Sequence, residues 1–250
     1  MNRRSSTFES QNPVMRESTY RDAARQAGAI SKSDTMTVQG AINKSFILGA
    51  IMLATAVYGY SAMNPLIMWI GGIGGFIMVL IAAFKPHLSP TLAPIYAGLE
   101  GLFVGGISAV YASFMDGIIF QAVTLTMAVF FLMLFIYKSR IIKVDNRFRT
   151  GVIMATGAIF VVYLLSFALS FFGIQVPFIH DGGPIGIGIS VVIVGVAALN
   201  LMLDFDNFER GEQYNAPAYM EWFSAMGLLV TLVWLYVEIL RLLSKLSSSD

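Results

Sequence analysis

Seven nearly uncharged apolar stretches, each close to twenty residues or longer, follow one another along this chain at 43–62, 66–84, 93–113, 118–137, 151–174, 186–203 and 219–246. About twenty apolar residues in a helix cross the hydrocarbon core of a bilayer. Lipid offers the backbone no hydrogen-bond partner, so only helices or closed barrels span it. A barrel would alternate in segments of about ten residues, whereas these runs are long and apolar all round. Composition agrees: 12% of the residues are charged, against roughly 25% in a soluble domain, and the mean hydropathy is +0.71. The expected fold is all-α, a polytopic membrane protein with seven transmembrane helices at 43–246.

The connections carry turn chemistry. Asn64-Pro65 and Met115-Asp116-Gly117 turn the chain, Lys85-Pro86-His87 closes span two, and residues 177–184, with His180 and Asp181, form a loop. A polar head, 1–42, precedes span one, and a short tail, 247–250, follows span seven. The head has few aromatics and no sustained apolar period, so it is expected to be largely disordered, with a surface helix at 18–29. It is too long and polar for a cleaved signal, so span one is expected to stay as an anchor. The head, the Lys85 loop and the loop holding Lys138, Arg140, Lys143, Arg147 and Arg149 are basic, while the loops at Asn64, Asp116 and His180 have no Lys or Arg. The positive-inside rule then puts the N-terminus of this multi-pass chain in the cytoplasm, and an inner membrane is the expected location. Seven spans place the C-terminus outside. Arg241 and Lys245 argue against that, so a re-entrant or tilted seventh run is the alternative.

Ionisable groups inside the spans mark function by default. Asp204 and Asp206 end span six. A solvated helix terminus accounts for Asp206, Glu209, Arg210 and Glu212, but less well for Asp204, which follows Leu199–Leu203 directly. A carboxylate at a helix C-terminus meets an unfavourable dipole, so a cation, a basic side chain or a proton should offset it. Glu100 lies about 10 Å into span three at 1.5 Å per residue, and a buried salt bridge is the bland alternative. In span seven, Thr231 and Glu238 are seven apart and share a face, with Arg241 three further on. Glu238 and Arg241 reaching the far interface would explain them equally. Gly71/Gly75 and Gly101/Gly105 are small-xxx-small pairs that let helices approach closely, either within the bundle or between two copies in a homodimer.

Several chemistries fall away. There is no Cys, hence no disulfide, thiolate ligand or Cys nucleophile. No H-E-x-x-H or nucleotide-binding glycine motif is present. His87 and His180 fall on opposite sides of the membrane, which argues against a shared triad, so no enzyme is expected. A net charge of +1 gives no field for nucleic acid. The fourteen methionines read as gap-fillers. What remains are hard oxygen donors: Asp204, Glu100, Glu238, the Thr231 hydroxyl and backbone carbonyls. These suit Ca²⁺ or protons, with Asp204 and Glu100 as the candidate Ca²⁺ ligands. Two close carboxylates cannot both ionise cheaply without a cation, which makes such a path sensitive to pH.

The ending Asp204-Phe205-Asp206-Asn207-Phe208 resembles the Asp-Thr-Gln-type end of that span in the Bax inhibitor-1 family. The run Leu235-Tyr236-Val237-Glu238-Ile239-Leu240-Arg241-Leu242-Leu243 resembles the family's closing Leu-Phe-Ile-Asn-Leu-Leu-Arg run. Residues from Ala93, with Gly105-Gly106, through the basic loop have a similar layout. The resemblance covers 43–246 and leaves out the head. It implies six helices around a central seventh, and a pH-gated Ca²⁺ leak with no cofactor, Ca²⁺ being the ion transported. In that family an aspartate ending span six pairs with one in span seven. Asp204 matches the first. The second, ten residues before Arg241, falls on Thr231, which is no acid. The family's bacterial partner for the span-seven Arg, a Glu in span two, is also missing, so Glu100 or Glu238 is expected to pair with Asp204 unless the gate is lost. The alternative is a non-transporting regulator that binds a membrane protease or another membrane protein, a role that suits the Arg-rich head, as does lipid contact.

Overall fold

The computed structural model describes Asp22, residues 35–173 and residues 183–247. The surface helix expected at 18–29, apart from Asp22, and the His180-Asp181 loop lie outside the described residues. The rest is helical: α1 (Val38–Ala62), α2 (Pro65–Phe84), a 3₁₀ turn (Pro86–Leu88), α3 (Ser89–Ala112), α4 (Ile118–Lys138), α5 (Asn146–Ser170), α6 (Pro184–Gln213) and α7 (Tyr219–Ser247). All seven α-helices are long and apolar enough to cross a membrane. The described residues hold no strand, only a bridge between Thr35 and Pro217.

Side-chain caps explain where several helices begin. The Thr37 hydroxyl accepts from the Gly40 amide at 2.9 Å, the Asn64 side chain from Leu66 N at 2.9 Å, and the Asp145 carboxylate from Phe148 N at 2.7 Å. Each satisfies an amide that the first helical turn leaves open. Two of these caps stand several residues ahead of the apolar run, so α1 and α5 start earlier than hydropathy alone places them. Their first turns are polar and still helical.

Two kinds of packing build the bundle. α3 lies between α1 and α2 with backbone almost on backbone. A Cβ on Gly105 would overlap the Ala56 carbonyl and the Tyr60 amide of α1, and one on Gly101 would overlap the Met52 carbonyl. A Cβ on Gly71 would meet the Leu99 carbonyl and Phe103 amide of α3, and one on Gly75 the Glu100 carboxylate. All four predicted packing glycines are therefore used inside one chain. α4 and α6 instead meet through side chains, with the Phe130 and Phe205 rings edge to face at 5.7 Å, a favourable aromatic geometry.

α7 is the most buried of the seven helices. Of its most apolar stretch 78% is buried, against at most 44% for any other helix. It packs on α1, α3, α4 and α6. It is one continuous helix of 29 residues, about 43 Å long at 1.5 Å per residue. Near its start Glu221 bonds Thr37 ahead of α1, and near its end Lys245 bonds Gly186 at the start of α6. It thus runs the length of the bundle rather than folding back as a re-entrant segment. α5 is the opposite case, with 6% of its apolar stretch buried.

Candidate functional site

α6 continues to Gln213, so Asp204 and Asp206 sit inside a helix and not at its end. The expectation of a helix terminus there is corrected. The spacing explains it: Leu201, Phe205 and Phe208 are buried at a helical interval and keep the apolar face going through the polar residues. The terminal dipole reaches only about one turn, which leaves Asp204 outside it.

Asp204 is 3% exposed. The hydroxyl of Thr231 on α7 lies within hydrogen-bonding reach of its carboxylate, and the Arg149 guanidinium acts on it from α5. Its Oδ2 has no hydrogen-bond partner. Unmet buried polar atoms are uncommon in folded proteins, and an uncompensated buried carboxylate costs several kcal/mol. The single hydroxyl proton of Thr231 is directed to the Gly227 carbonyl at a long 3.3 Å. A carboxylate, a hydroxyl and a carbonyl thus lie together where α6 meets α7, the donor types a hard cation takes.

The neighbouring Asp206 is fully engaged. It forms ion pairs with Arg149 of α5 and, at 2.7 Å, with Arg210 one turn on. Arg149 is buried and also donates to the Asn207 side chain at 3.2 Å. One turn back along α6, buried Asn200 donates to Thr156 of α5 at 2.8 Å. α5 is therefore joined to α6 by polar clasps more than by apolar packing.

A second centre lies seven residues further along α7, about 10 Å away. The Glu238 carboxylate, 1% exposed, accepts from the Tyr163 hydroxyl at 2.8 Å and from Arg241 at 3.0 Å. Arg241 also reaches the Tyr163 hydroxyl and stacks over its ring at 5.1 Å from the centroid. The family model described as Bax inhibitor 1 like matches residues 12–248.

The chain belongs to the Bax inhibitor 1 like family. No curated protein matches it. The family match runs through most of the polar head, which the resemblance had left out, and the structure ties the end of that head to the family's helical bundle. Met36 N donates to the Ala216 carbonyl at 2.6 Å, and Glu221 accepts from Thr37 N at 2.9 Å and from Lys44 at 2.6 Å.

Against the family pattern, Thr231 does face Asp204, although it is not an acid. Neither expected substitute acid joins the site. Glu238 is held by Arg241 and Tyr163. Glu100 points into the α2–α3 seam, where its Oε2 occupies the space beside Gly75. Close approach of α2 makes that pocket for it, so the pairing of Asp204 with Glu100 or Glu238 is corrected. Among the described residues, no three His, Asp or Glu side chains gather to hold a metal ion.

Two residues escaped sequence reasoning. Arg149 reads as one more base in a basic loop, yet it is the one nearest the apolar run that opens at Gly151, and Asp145 four residues before it is the helix cap. Glu221 reads as a first-turn acid of span seven, and nothing local points to its partners 177 and 184 residues away.

Proposed function

We propose that this protein is a passive, pH-sensitive leak for a hard cation, Ca²⁺ foremost, in which Asp204 handles the ion. The observation that carries this reading is the unpartnered Oδ2 of a carboxylate buried between α6 and α7. A proton or a cation satisfies that oxygen, and the two compete for it. The groups facing Asp204 are Thr231 from α7 and Arg149 from α5, with Asp206 and Arg210 further along its own helix. Cation occupancy therefore falls as pH falls. Thr231 contributes a neutral oxygen where the resemblance implies a second acid, so the site binds with one charge fewer. Burial of α7 supports its place at the middle of the other six. The basic loops favour a cytoplasmic setting for the end of the bundle bearing Thr37 and Glu221, and the reading takes the membrane to be an inner one.

Flux from liposomes holding the full chain tests this. Ca²⁺ passage through the wild type, and its loss together with its pH dependence in Asp204→Asn, are the expected results. A wild type that passes no cation, or an Asp204→Asn variant with unchanged flux, overturns the reading. The anchoring of residues 35–40 on the α6–α7 turn favours one second reading, in which the head engages another membrane protein and the core is its platform. Removing residues 2–34 abolishes such binding and leaves a leak intact.

A further inference from the structure

Between α5 and α6 lies a groove of about 460 Å³. Its walls include Ala158, Val162 and Tyr163 of α5 and Gly188, Ile189 and Val192 of α6. The volume falls within the range of small-ligand sites. Val162 and Val192 are 47% and 64% exposed, so the groove opens sideways, where the bilayer lies, and not into the polar interior. From Ile185 to Ile193 it runs eight residues of α6, about 12 Å in depth at 1.5 Å per residue.

The groove has a polarity along its length. Its deep end is wholly aliphatic. Its shallow end, nearest the start of α6, is bordered by one cation. Arg241 reaches it through Tyr163, whereas Lys245 is buried and bonded to Gly186 and Ser190, which do not line the groove. Beside it, the described residues bordering the groove supply one acid, Glu238, shared between Tyr163 and Arg241. The Arg241 side chain keeps 31% exposure beyond its bond to Glu238. A planar guanidinium with spare donors suits a phosphate.

We propose that this groove is a binding site for an anionic phospholipid, with one acyl chain lying between α5 and α6 and the phosphate at Arg241. The order of chemistry from membrane surface to midplane, cationic then aliphatic, matches that of the lipid. The scant apolar contact of α5 with the bundle follows from this, because the chain fills what the side chains leave open.

The test uses the full chain in vesicles doped with photoactivatable phosphatidylglycerol or phosphatidylcholine, with labelled peptides mapped by mass spectrometry. Phosphatidylglycerol should label α5 and α6 at least fivefold more than phosphatidylcholine. A Cβ on Gly188 meets nothing within 4 Å, so Gly188→Leu fills the groove without disturbing the backbone, and it should cut labelling by both lipids at least fivefold. Arg241→Gln should keep chain labelling and erase the headgroup preference. Equal labelling of the wild type by both lipids, an unselective lipid shell only, overturns the proposal. So does undiminished labelling of Gly188→Leu, or a headgroup preference that survives Arg241→Gln. None of these readouts depends on ion flux.

Discussion

Placing an acid at residue 231 gives the sharpest test of the α6–α7 site. Thr231 is 2% exposed and its hydroxyl is within reach of the Asp204 carboxylate, so Thr231→Asp puts two carboxylates in one buried pocket. At a separation of about 4 Å and an effective dielectric near 20, two unit charges interact by about 4 kcal/mol. Arg149 offsets part of this, which leaves an expected loss of about 2–3 kcal/mol at neutral pH without divalent ions. Two conditions should restore stability. Lowering the pH lets the pair share a proton, and Ca²⁺ at a hundred times its Kd returns about 2.7 kcal/mol by mass action. The assay is thermal unfolding in detergent from pH 5 to 8, with Ca²⁺ or with chelator, for the wild type, Thr231→Asp, and Thr231→Asp combined with Asp204→Asn. The double variant has one acid and should lose most of the pH dependence. The same single variant should raise pH-dependent Ca²⁺ flux in liposomes. If Thr231→Asp matches the wild type at every pH and ignores Ca²⁺, residues 204 and 231 do not face one another and the site as described is wrong.

Other outcomes follow from the same coordinates. Arg149→Met should destabilise by about 1–3 kcal/mol, less than the 3–5 typical of a broken buried pair because Asp206 keeps Arg210; denaturation, with spin-label distances between α5 and α6, reads both the loss and the loosening. Gly105→Ala should impair assembly severely, since its Cβ would meet backbone atoms of α1, while Gly49→Ala, with nothing within 4 Å, should be neutral; equal yields of monodisperse protein from the two would contradict the seam. Glu221→Gln should release residues 35–40, seen as faster protease cleavage before α1, because the Lys44 ion pair is lost and the Thr37 bonds are weakened.

Hydropathy made the seven rods legible, since a lipid-facing helix announces itself by length and lack of charge. It misjudged their ends wherever a helix continues into water. The polar residues from Asp204 onward read as the end of span six, although Leu201, Phe205 and Phe208 already kept the helical interval. Asp204 itself stood out, being an acid set directly against an apolar run. Its relation to Thr231 came only through the family pattern, because no spacing rule links positions on two different helices. Glu100 and Glu238 were legible as intramembrane acids but not in their pairing. Glycines too far away in sequence to be weighed with it decide where Glu100 points, and Tyr163 of α5 helps hold Glu238.

The seam of glycines has a mechanical corollary. Where main chain touches main chain along α1, α3 and α2, there are no rotamers to swap and no methyl groups to slide, so that trio travels as one plank. When the surrounding bilayer thins, stretches or changes curvature, the deformation must be taken up on the far flank, by the stave held with hydrogen bonds and ion pairs. α5 is therefore the element expected to respond first to a change in bilayer thickness.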